Sequence, residues 1–486
     1  MNKVGIITLY RGYNYGTSLQ AYALKKAISD LGYDTEILWT NENTHAGRDI
    51  RVEKIVRMAA RMLVHPELRK NTIRGHKKSL GTPIEERIKE EFKDFEEGEL
   101  AVKGLSMQGL RKFAREAQTV AVVCGSDQIW SATGANVEPL YYLRFAPADK
   151  RVAYAPSFGA SKVPVYNQKL IKKYLAEIPN VSVREKQGAK IVFDLTRREV
   201  PVVLDPTLLI DWNQWGNAKK CDYFLLYFLS EPSENIIDKI AVIAKSAKCK
   251  VIALPYRFSV YSKINDIDYP NAGPKEFVKL IRNAKCVYTD SFHGTIFSIN
   301  LNVPFWTIAR NYGNGIVEQS SRITSILETF KLSGQYICND TENKLSEIPS
   351  MDFEEINLIR KEQKEKSLEY LKKGGRIGRL AGTVGEFLNL KPIITTDENG
   401  IYYNVAKVRG RKQSLSKMTE ILKGYLEKGK CDVAVLHAGC EEEATKYMES
   451  IKSLPNVASI KIAEISPALG VHGGPGLMGF SVKMEK

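Results

Sequence analysis

The 486-residue chain contains 43% hydrophobic and 26% charged residues, a composition typical of a globular protein and unlike that of a disordered chain. Its length exceeds what one hydrophobic core usually holds, so we expect two to four domains. No apolar run approaches the roughly 20 residues that cross a bilayer. The first ten residues, MNKVGIITLY, do not form a cleavable signal sequence, and these features together predict a cytoplasmic protein.

The formal net charge of +15 favours anionic partners such as phosphorylated metabolites, acidic glycans or lipid head groups. Between Arg48 and Lys78 the sequence has ten Lys and Arg residues against three acids. No zinc spacing, aromatic interleaving or RNA-binding fingerprint accompanies them, so we expect no nucleic-acid partner. The segment is either the solvated surface of a basic helix or a surface for peripheral association with the inner membrane face.

The seven cysteines are scattered, odd in number and without a C-x-x-C pair. This pattern argues against both a disulfide framework and a zinc site. Most of the cysteines lie in apolar runs such as AVVC and KCVY, where a thiol usually acts as a small hydrophobic group. The sequence therefore predicts no metal centre.

The first predicted elements form a strand–helix–strand unit, which is typical of the start of an α/β domain. The apolar run 4–10 predicts a strand, apolar residues at helical spacing follow it until Gly32, and 34–38 predicts the next strand. A charged segment with a helical pattern, about 45–115, is expected to be an excursion from this domain. Further strands are predicted at the following positions: 119–125, 151–159, 181–185 and 200–207.

A second series of α/β elements begins at residue 222. Strands are predicted at 222–229, 250–256, 286–291 and 303–308, with helices between them. Two successive α/β halves indicate a two-lobed protein whose site lies in a cleft, at the carboxyl ends of the strands. A smaller α/β segment follows, so the predicted domains are 1–198, 199–367 and 368–486.

The segment CVYTDSFHGTIFSI carries the first candidate site. A strand ends at Asp290, Ser291 can cap the following helix, and His293 lies in its first turn. The free N–H groups of a helix start favour phosphate, and a histidine there can act as a general acid. The alternative is that His293 only packs or caps locally.

Arg184, in VSVREKQGAKI, is predicted to lie between the end of a strand and the start of a helix. An arginine so placed can bind phosphate or carboxylate in a bidentate manner. The alternative is an ordinary salt bridge with Glu185 or Asp205.

Two loops that follow predicted strands supply the remaining candidates. Asn14, Tyr15 and Gly16 lie in RGYNYGTS, where two glycines permit close approach of a ligand to the backbone. Gly125, Ser126 and Asp127 lie in CGSDQIW and can bind a sugar. The alternatives are simple turn formation for the first loop and a helix cap for the second.

Six motifs occur in the order found in the polysaccharide pyruvyl transferase family, which residues 1–370 resemble. They are NYGTSLQAYAL, GSDQIW, YAPSFG, SVREKQGAKI, VLDPTLL and TDSFHGTIFSI. Pro156 and Ser131 depart from the family pattern, which has alanine and asparagine there. The resemblance implies an α/β fold, with a GT-B-like pair of Rossmann-type lobes around a cleft and a small C-terminal α/β domain beyond it.

The resemblance also implies an activity, the transfer of the enolpyruvyl group of phosphoenolpyruvate to sugar hydroxyls, which forms a pyruvate ketal. Phosphoenolpyruvate is then a co-substrate, a saccharide is the acceptor, and no cofactor is required. The family's functional arginine and histidine fall on Arg184 and His293. Asp290 or Asp127 is the candidate base, and Ser291, Gly294 and Arg322 join the loop residues as substrate-binding candidates.

Residues 368–486 resemble a different family, the second half of DegV-type fatty-acid-binding proteins. The motifs are GGRIGRL, KVRGRK and GVHGGPG. The resemblance implies that Arg376, Arg409 and His472 lie near a lipid head group. Two other functions therefore remain open: a fatty-acid-binding module on an inactive transferase scaffold, and a GT-B glycosyltransferase that uses a nucleotide sugar.

Overall fold

The computed structural model describes the residues in the following ranges: 2–41, 44–45, 48–49, 51–69, 72, 84–134, 136–216, 219, 221–310, 320–338, 345–374, 390–396, 402–465 and 476–484. The chain divides into two compact units, Met1–Gly378 and Arg379–Lys486. The first unit contains both large lobes, and the second contains the smaller α/β segment.

The first lobe is built on a parallel sheet of six strands, which are, in chain order, β1 (Lys3–Ile7), β2 (Asp34–Trp39), β5 (Lys103–Gly104), β6 (Thr119–Cys124), β7 (Arg151–Ala153) and β8 (Asn180–Val181). Their spatial order is β5-β2-β1-β6-β7-β8. Counted along the chain this is 3-2-1-4-5-6, the Rossmann order. The central strands β1 and β6 are almost wholly buried, as expected for a parallel sheet that is covered on both faces.

The second lobe repeats this topology with six further parallel strands: β9 (Tyr223–Tyr227), β10 (Lys250–Leu254), β11 (Ile267–Asp268), β12 (Cys286–Thr289), β13 (Phe305–Ile308) and β14 (Tyr336–Ile337). Their order is β11-β10-β9-β12-β13-β14, again 3-2-1-4-5-6 along the chain. The prediction of a GT-B-like pair of Rossmann-type lobes is confirmed by these two sheets.

The helices of the first unit are α1 (Tyr15–Ser29), α2 (Arg51–Val64), α3 (Glu86–Phe95), α4 (Met107–Arg115), α5 (Val165–Ala176), α6 (Lys186–Thr196), α7 (Glu234–Ser246), α8 (Pro274–Asn283), α9 (Phe292–Asn300), α10 (Ser320–Thr329) and α11 (Phe353–Gly374). The predicted excursion, about 45–115, contains α2, α3 and a π-helical turn, Glu96–Leu100, and the short antiparallel strands β3 (Thr44–His45) and β4 (Arg48–Asp49) lie at its start. The predicted range extends too far, because β5 at Lys103–Gly104 already pairs with β2 in the sheet and α4 connects β5 to β6. Within the described ranges, no helix combines the length and the apolar character that crossing a membrane requires.

Two strands are shorter than the sequence pattern predicts. The run 151–159 stays extended only to Ala153, because Ala155 has a positive φ of 54° and turns the chain out of the sheet. The predicted strand 181–185 joins the sheet only through Asn180–Val181, and Val183 then pairs with Val202 outside it. Both runs place polar residues beyond the carboxyl edge of the sheet, where the site forms.

Aromatic packing joins the two lobes next to the site. The Tyr15 ring, at the start of α1, stacks on Phe277 of α8 with centroids 4.5 Å apart. Its hydroxyl donates to the Ala272 carbonyl at 2.8 Å. The last helix, α11, returns to the first lobe, where the Tyr370 hydroxyl donates to the Ala153 carbonyl at 3.1 Å. These contacts fix the carboxyl edges of the two sheets against each other.

The second unit contains an antiparallel pair and a three-stranded sheet. The pair is β15 (Leu390–Thr396) with β16 (Tyr402–Arg409), and the sheet has the order β18-β17-β19, with β17 (Cys431–His437), β18 (Val457–Glu464) and β19 (Met478–Met484). Its helices are α12 (Arg411–Leu426) and α13 (Glu441–Ile451). Leu422, Val435 and Ile451 form the centre of a hydrophobic core. This is the small C-terminal α/β domain predicted from the sequence.

Candidate functional site

The predicted site residues come together where strands of the two lobes end. Asp127 follows β6 and Arg184 follows β8, while Ser291 and His293 follow β12. In each sheet the first and fourth strands are neighbours whose connections leave in opposite directions, and ligands of such folds bind at this switch point. The fold therefore concentrates these side chains at its expected binding edge.

Asp205 lies at the centre of the cluster. Its Oδ2 accepts from Arg184 Nη1 at 2.7 Å and from Ser126 Oγ at 3.1 Å, and lies 3.7 Å from His293 Nε2. Its Oδ1 accepts from the Thr207 amide and hydroxyl at 3.1 and 2.8 Å. Burial alone would raise the pKa of this carboxyl, but His293 and Arg184 outweigh burial and lower the pKa well below its ordinary value. Asp205 is therefore a carboxylate at neutral pH.

Asp127 supplies a second carboxylate to the same arginine. Its backbone has a positive φ of 65°. Its Oδ2 accepts from the Thr17 hydroxyl at 2.8 Å, and its Oδ1 lies 3.5 Å from Arg184 Nη2. Burial opposes ionisation, but the charges of Arg184, His293 and Arg322 lower the pKa of Asp127 below its ordinary value. The cluster thus contains two ionised carboxylates beside its cations.

Two guanidinium groups approach the ring of Phe292, the first residue of α9. Arg184 lies 4.4 Å from the ring centroid and Arg322, on α10, lies 5.8 Å from it. Burial lowers the pKa of Arg322 to about 10, and the positive charge of Arg184 contributes to this decrease. The two cations are close enough to disfavour each other's charge, and an anion bound beside Arg322 would stabilise both.

Glu185 is a third buried acid at this edge. Its Oε1 accepts from the Ser157 hydroxyl at 2.9 Å. Its Oε2 lies 4.0 Å from Arg184 Nε and has no hydrogen-bond partner among the residues that the structure describes. Burial raises the pKa of Glu185 above its ordinary value, although Arg184 and Arg322 oppose the rise. A carboxyl group with these surroundings can exchange a proton closer to neutral pH than a solvated glutamate does.

His293 lies in the first turn of α9 and packs directly on Gly16 of the first lobe. A Cβ atom added to Gly16 would lie 2.0 Å from His293 Nδ1 and 2.1 Å from Cγ. Apart from its 3.7 Å approach to Asp205, the Nε2 atom has no hydrogen-bond partner within the described part of the chain. The imidazole is thus held between α1 and a carboxylate, with one nitrogen available to a ligand.

The Gly16–His293 contact gives a direct test of how the lobes pack. Replacing Gly16 with alanine should lower the free energy of unfolding by about 1–3 kcal/mol, the usual cost of overpacking, because the new methyl group overlaps the imidazole. Urea denaturation would measure the loss, and the His293 ring resonances should shift in NMR spectra. The matched control is Gly98→Ala, whose Cβ would meet no atom within 4 Å. A stable Gly16→Ala variant with unshifted resonances would contradict the contact.

Other predicted binding residues have structural partners. The Asn14 side chain caps α1 by accepting from the Thr17 amide at 3.2 Å, and the Tyr15 hydroxyl is bonded to Ala272. A side chain at Gly125 would lie 1.9 Å from the Tyr154 carbonyl oxygen, and one at Gly294 would lie 2.4 Å from Thr289 Oγ1. These glycines are required by packing.

Asp290 and Ser291 differ in their relation to the cluster. The Asp290 carboxylate accepts from the Leu229 and Ser230 amides at 2.7 and 3.0 Å and pairs with Arg310 at 2.9 Å. Burial raises its pKa, against the influence of Arg310. Ser291 is the N-cap residue of α9, and within the described chain its hydroxyl makes no capping bond. The first amides of α9 therefore lack a side-chain cap next to His293.

The side chains of the three residues predicted near a lipid head group lie outside what the structure describes. Arg376 and His472 lie outside the described residues. Arg409 ends strand β16, but its side chain also lies outside what the structure describes.

Asp205, Glu185 and Thr17 contact the cluster, and their motifs predicted no function for them. Asp205 appeared only as an alternative salt-bridge partner of Arg184, and this pair is present. The signal was the motif VLDPTLL, in which an Asp-Pro pair ends an apolar run. Such an aspartate lies at the carboxyl edge of a sheet and is held there by the turn that follows.

Two family models match the chain. The model described as polysaccharide pyruvyl transferase matches residues 14–312, which is more than half of the sequence. The model described as an uncharacterised protein of the DegV family matches residues 365–485.

The curated relatives match the C-terminal part. A DegV domain-containing protein of Clostridium perfringens is 52% identical over 119 residues, which cover 24% of this chain and 42% of the relative. One from Clostridium acetobutylicum is 50% identical over 120 residues, 24% of this chain and 43% of the relative. The chain thus spans less than half the length of these relatives.

Solved structures align at low similarity. The UDP-GlcNAc 2-epimerase of Methanocaldococcus jannaschii is 15% identical with a TM-score of 0.41, covering 78% of this chain and 99% of that one. The fatty acid binding DegV family protein of Streptococcus agalactiae is 17% identical with a TM-score of 0.20, covering 53% of this chain and 78% of that one. The fold assignment rests on the two sheets themselves.

Proposed function

The chain belongs to the polysaccharide pyruvyl transferase family, and we propose that it transfers the enolpyruvyl group of phosphoenolpyruvate to sugar hydroxyls, which yields a pyruvate ketal on a polysaccharide or glycoconjugate. The observation that carries this proposal is the buried cluster in which Arg184, Arg322 and His293 meet beside the start of α9. Two guanidinium groups, an imidazole and helix amides without a side-chain cap suit a small, highly anionic donor.

The donor's charge matches the electrostatics of the cluster. Burial and the charge of Arg184 lower the pKa of Arg322 to about 10. A carboxylate or phosphate bound beside Arg322 would favour its charged form and raise this pKa again. Arg184 is held by Asp205 and Asp127, so its guanidinium is oriented before any ligand binds. Preorganised cations of this kind stabilise negative charge as it develops on a leaving phosphate.

The proposed reaction proceeds in two additions. A proton moves to C3 of phosphoenolpyruvate, and a sugar hydroxyl adds to the electrophilic C2. The C2–O bond to phosphate then breaks with its electron pair, and a second hydroxyl of the same sugar closes the cyclic ketal and gives its proton to the released phosphate. His293 is the proposed proton donor because Nε2 is available beside the uncapped helix start. No cofactor is required for these steps.

We propose Asp127, rather than Asp290, as the base that accepts the hydroxyl proton. Asp127 is ionised and lies within the cluster, with Thr17 and Arg184 as its partners. Asp290, the other candidate, directs its carboxylate to two backbone amides and Arg310, which use its acceptor oxygens.

The proposal is tested by binding and turnover. Calorimetry should detect binding of phosphoenolpyruvate in preference to UDP- or GDP-sugars, and phosphorus NMR with a panel of glycan acceptors should show release of inorganic phosphate. Binding of a nucleotide sugar, with no interaction with phosphoenolpyruvate, would instead support a GT-B glycosyltransferase. Absence of turnover with every acceptor would favour an inactive scaffold.

For the C-terminal unit we propose a separate role in binding a fatty acid, supported by the DegV match at residues 365–485. The expected result is that the full chain retains a fatty acid through purification, detected by native mass spectrometry and identified after extraction. His472→Ala should lose the ligand, because the family resemblance puts this histidine at the carboxylate. A chain that carries no lipid and takes up none from solution would refute the role.

A further inference from the structure

Helix α2 is attached to the first lobe through its basic side chains. Lys54 Nζ lies 3.3 Å from Glu138 Oε1. Arg61 Nη2 donates to the Tyr166 carbonyl at 3.1 Å and to Asn167 Oδ1 at 2.8 Å. These charged and polar contacts attach α2 to the first lobe, and Met58 and Met62 of the same helix are half-buried.

The opposite side of α2 is apolar and exposed. Val52, Ile55, Val56 and Leu63 expose 72%, 59%, 63% and 86% of their surface. Counted from Val52, the four residues lie at positions 0, 3, 4 and 11. Each residue turns an α-helix by 100°, so these positions fall on one side and form a stripe along the helix. An ordinary surface helix buries its apolar stripe against the core and presents its charges to water, so the orientation of α2 is reversed.

The sequence around this stripe is basic, with ten Lys and Arg residues against three acids from Arg48 to Lys78. Among the side chains of this segment that the structure describes, Arg51 and Arg69 are exposed, as are Glu53 and Glu67. Helix α5, whose residues Tyr166 and Asn167 hold Arg61, contains no acid and exposes three lysines at positions 169, 172 and 173. An apolar stripe within a positive field suits an interface that is both apolar and anionic.

We propose that α2 binds the protein to an anionic lipid bilayer. The stripe of Val52, Ile55, Val56 and Leu63 enters the boundary between head groups and acyl chains, while the surrounding lysines and arginines interact with anionic head groups. A second copy of the chain is a poorer occupant, because pairing two α2 faces would bring two basic surfaces together. This proposal does not depend on the identity of the reaction.

Vesicle co-sedimentation of the full chain tests the proposal. The protein should bind vesicles of phosphatidylcholine that contain phosphatidylglycerol, bind vesicles of pure phosphatidylcholine much less, and dissociate at high salt. Ile55→Glu combined with Leu63→Glu should reduce binding at least about tenfold, because two carboxylates would have to enter the acyl boundary. The matched control is Val242→Glu, an exposed valine on α7 at 69% exposure, which should bind like the unmodified chain.

Three results would overturn the proposal. The first is an unmodified chain that does not sediment with anionic vesicles, and the second is a double variant that sediments as well as the unmodified chain. The third is a dimer in sedimentation velocity that the double variant converts to a monomer, which would assign the stripe to a second copy. Thermal unfolding of each variant confirms that the fold is intact, and Ile55→Ser with Leu63→Ser provides a milder version of the same test.

Discussion

Replacing His293 with alanine should reduce phosphate release from phosphoenolpyruvate by about 10²- to 10⁴-fold, the usual contribution of a general acid. The imidazole is the only titratable group that α9 itself contributes to the cluster, and its Nε2 is 3.7 Å from Asp205. The loss should appear in the turnover number, measured by phosphorus NMR under saturating donor.

Two measurements separate chemistry from binding and folding for His293. Calorimetry should show that the variant still binds phosphoenolpyruvate, because Arg184 and Arg322 remain in place. His65→Ala is the control, since His65 contacts the Tyr166 ring away from the cluster and should leave turnover unchanged. Phosphate release by His293→Ala at the unmodified rate would exclude the histidine from the reaction.

The fold could be predicted because it depends on local patterns. Buried parallel strands appear as short continuous apolar runs, and the runs at 119–125 and 286–291 contain β6 and β12. The strand ends were less accurate. The strand predicted at 151–159 ends early because Ala155 has a positive φ. The pattern of apolar residues in a sequence does not show that an alanine will adopt this backbone angle.

The site could be predicted only in part, because its central contacts join residues that are distant in sequence. Arg184 and His293 were identified through their motifs, but the carboxylate that lies beside both is Asp205. Pairing of Val183 with Val202 brings Asp205 to Arg184, but its approach to His293 depends on how the two lobes pack, and neither periodicity nor spacing encodes that packing. The same holds for Gly16, whose missing side chain makes room for His293.

Replacing Asp205 with asparagine should lower the free energy of unfolding by about 3 kcal/mol, because it leaves Arg184 buried with a weaker partner. The effect should depend on pH in a defined direction. Since the folded state lowers the pKa of Asp205, its stabilisation is present above the ordinary aspartate pKa of about 3.9 and is lost as pH falls toward the lower folded value. Urea denaturation of both proteins should therefore give a constant difference from about pH 7 to about pH 5, which decreases below that.

The control for Asp205 is an aspartate with a similar partner at the surface. Asp194 lies 3.2 Å from Lys190 on α6, but both side chains are more than half exposed to solvent, so Asp194→Asn should leave stability unchanged within error. If the Asp205→Asn variant were as stable as the Asp194→Asn variant at neutral pH, the carboxylate would not be the anchor of Arg184. Loss of turnover without loss of stability would instead assign Asp205 to the chemistry. If Asp205 served only to position Arg184 and balance its charge, its replacement would also lower the free energy of unfolding.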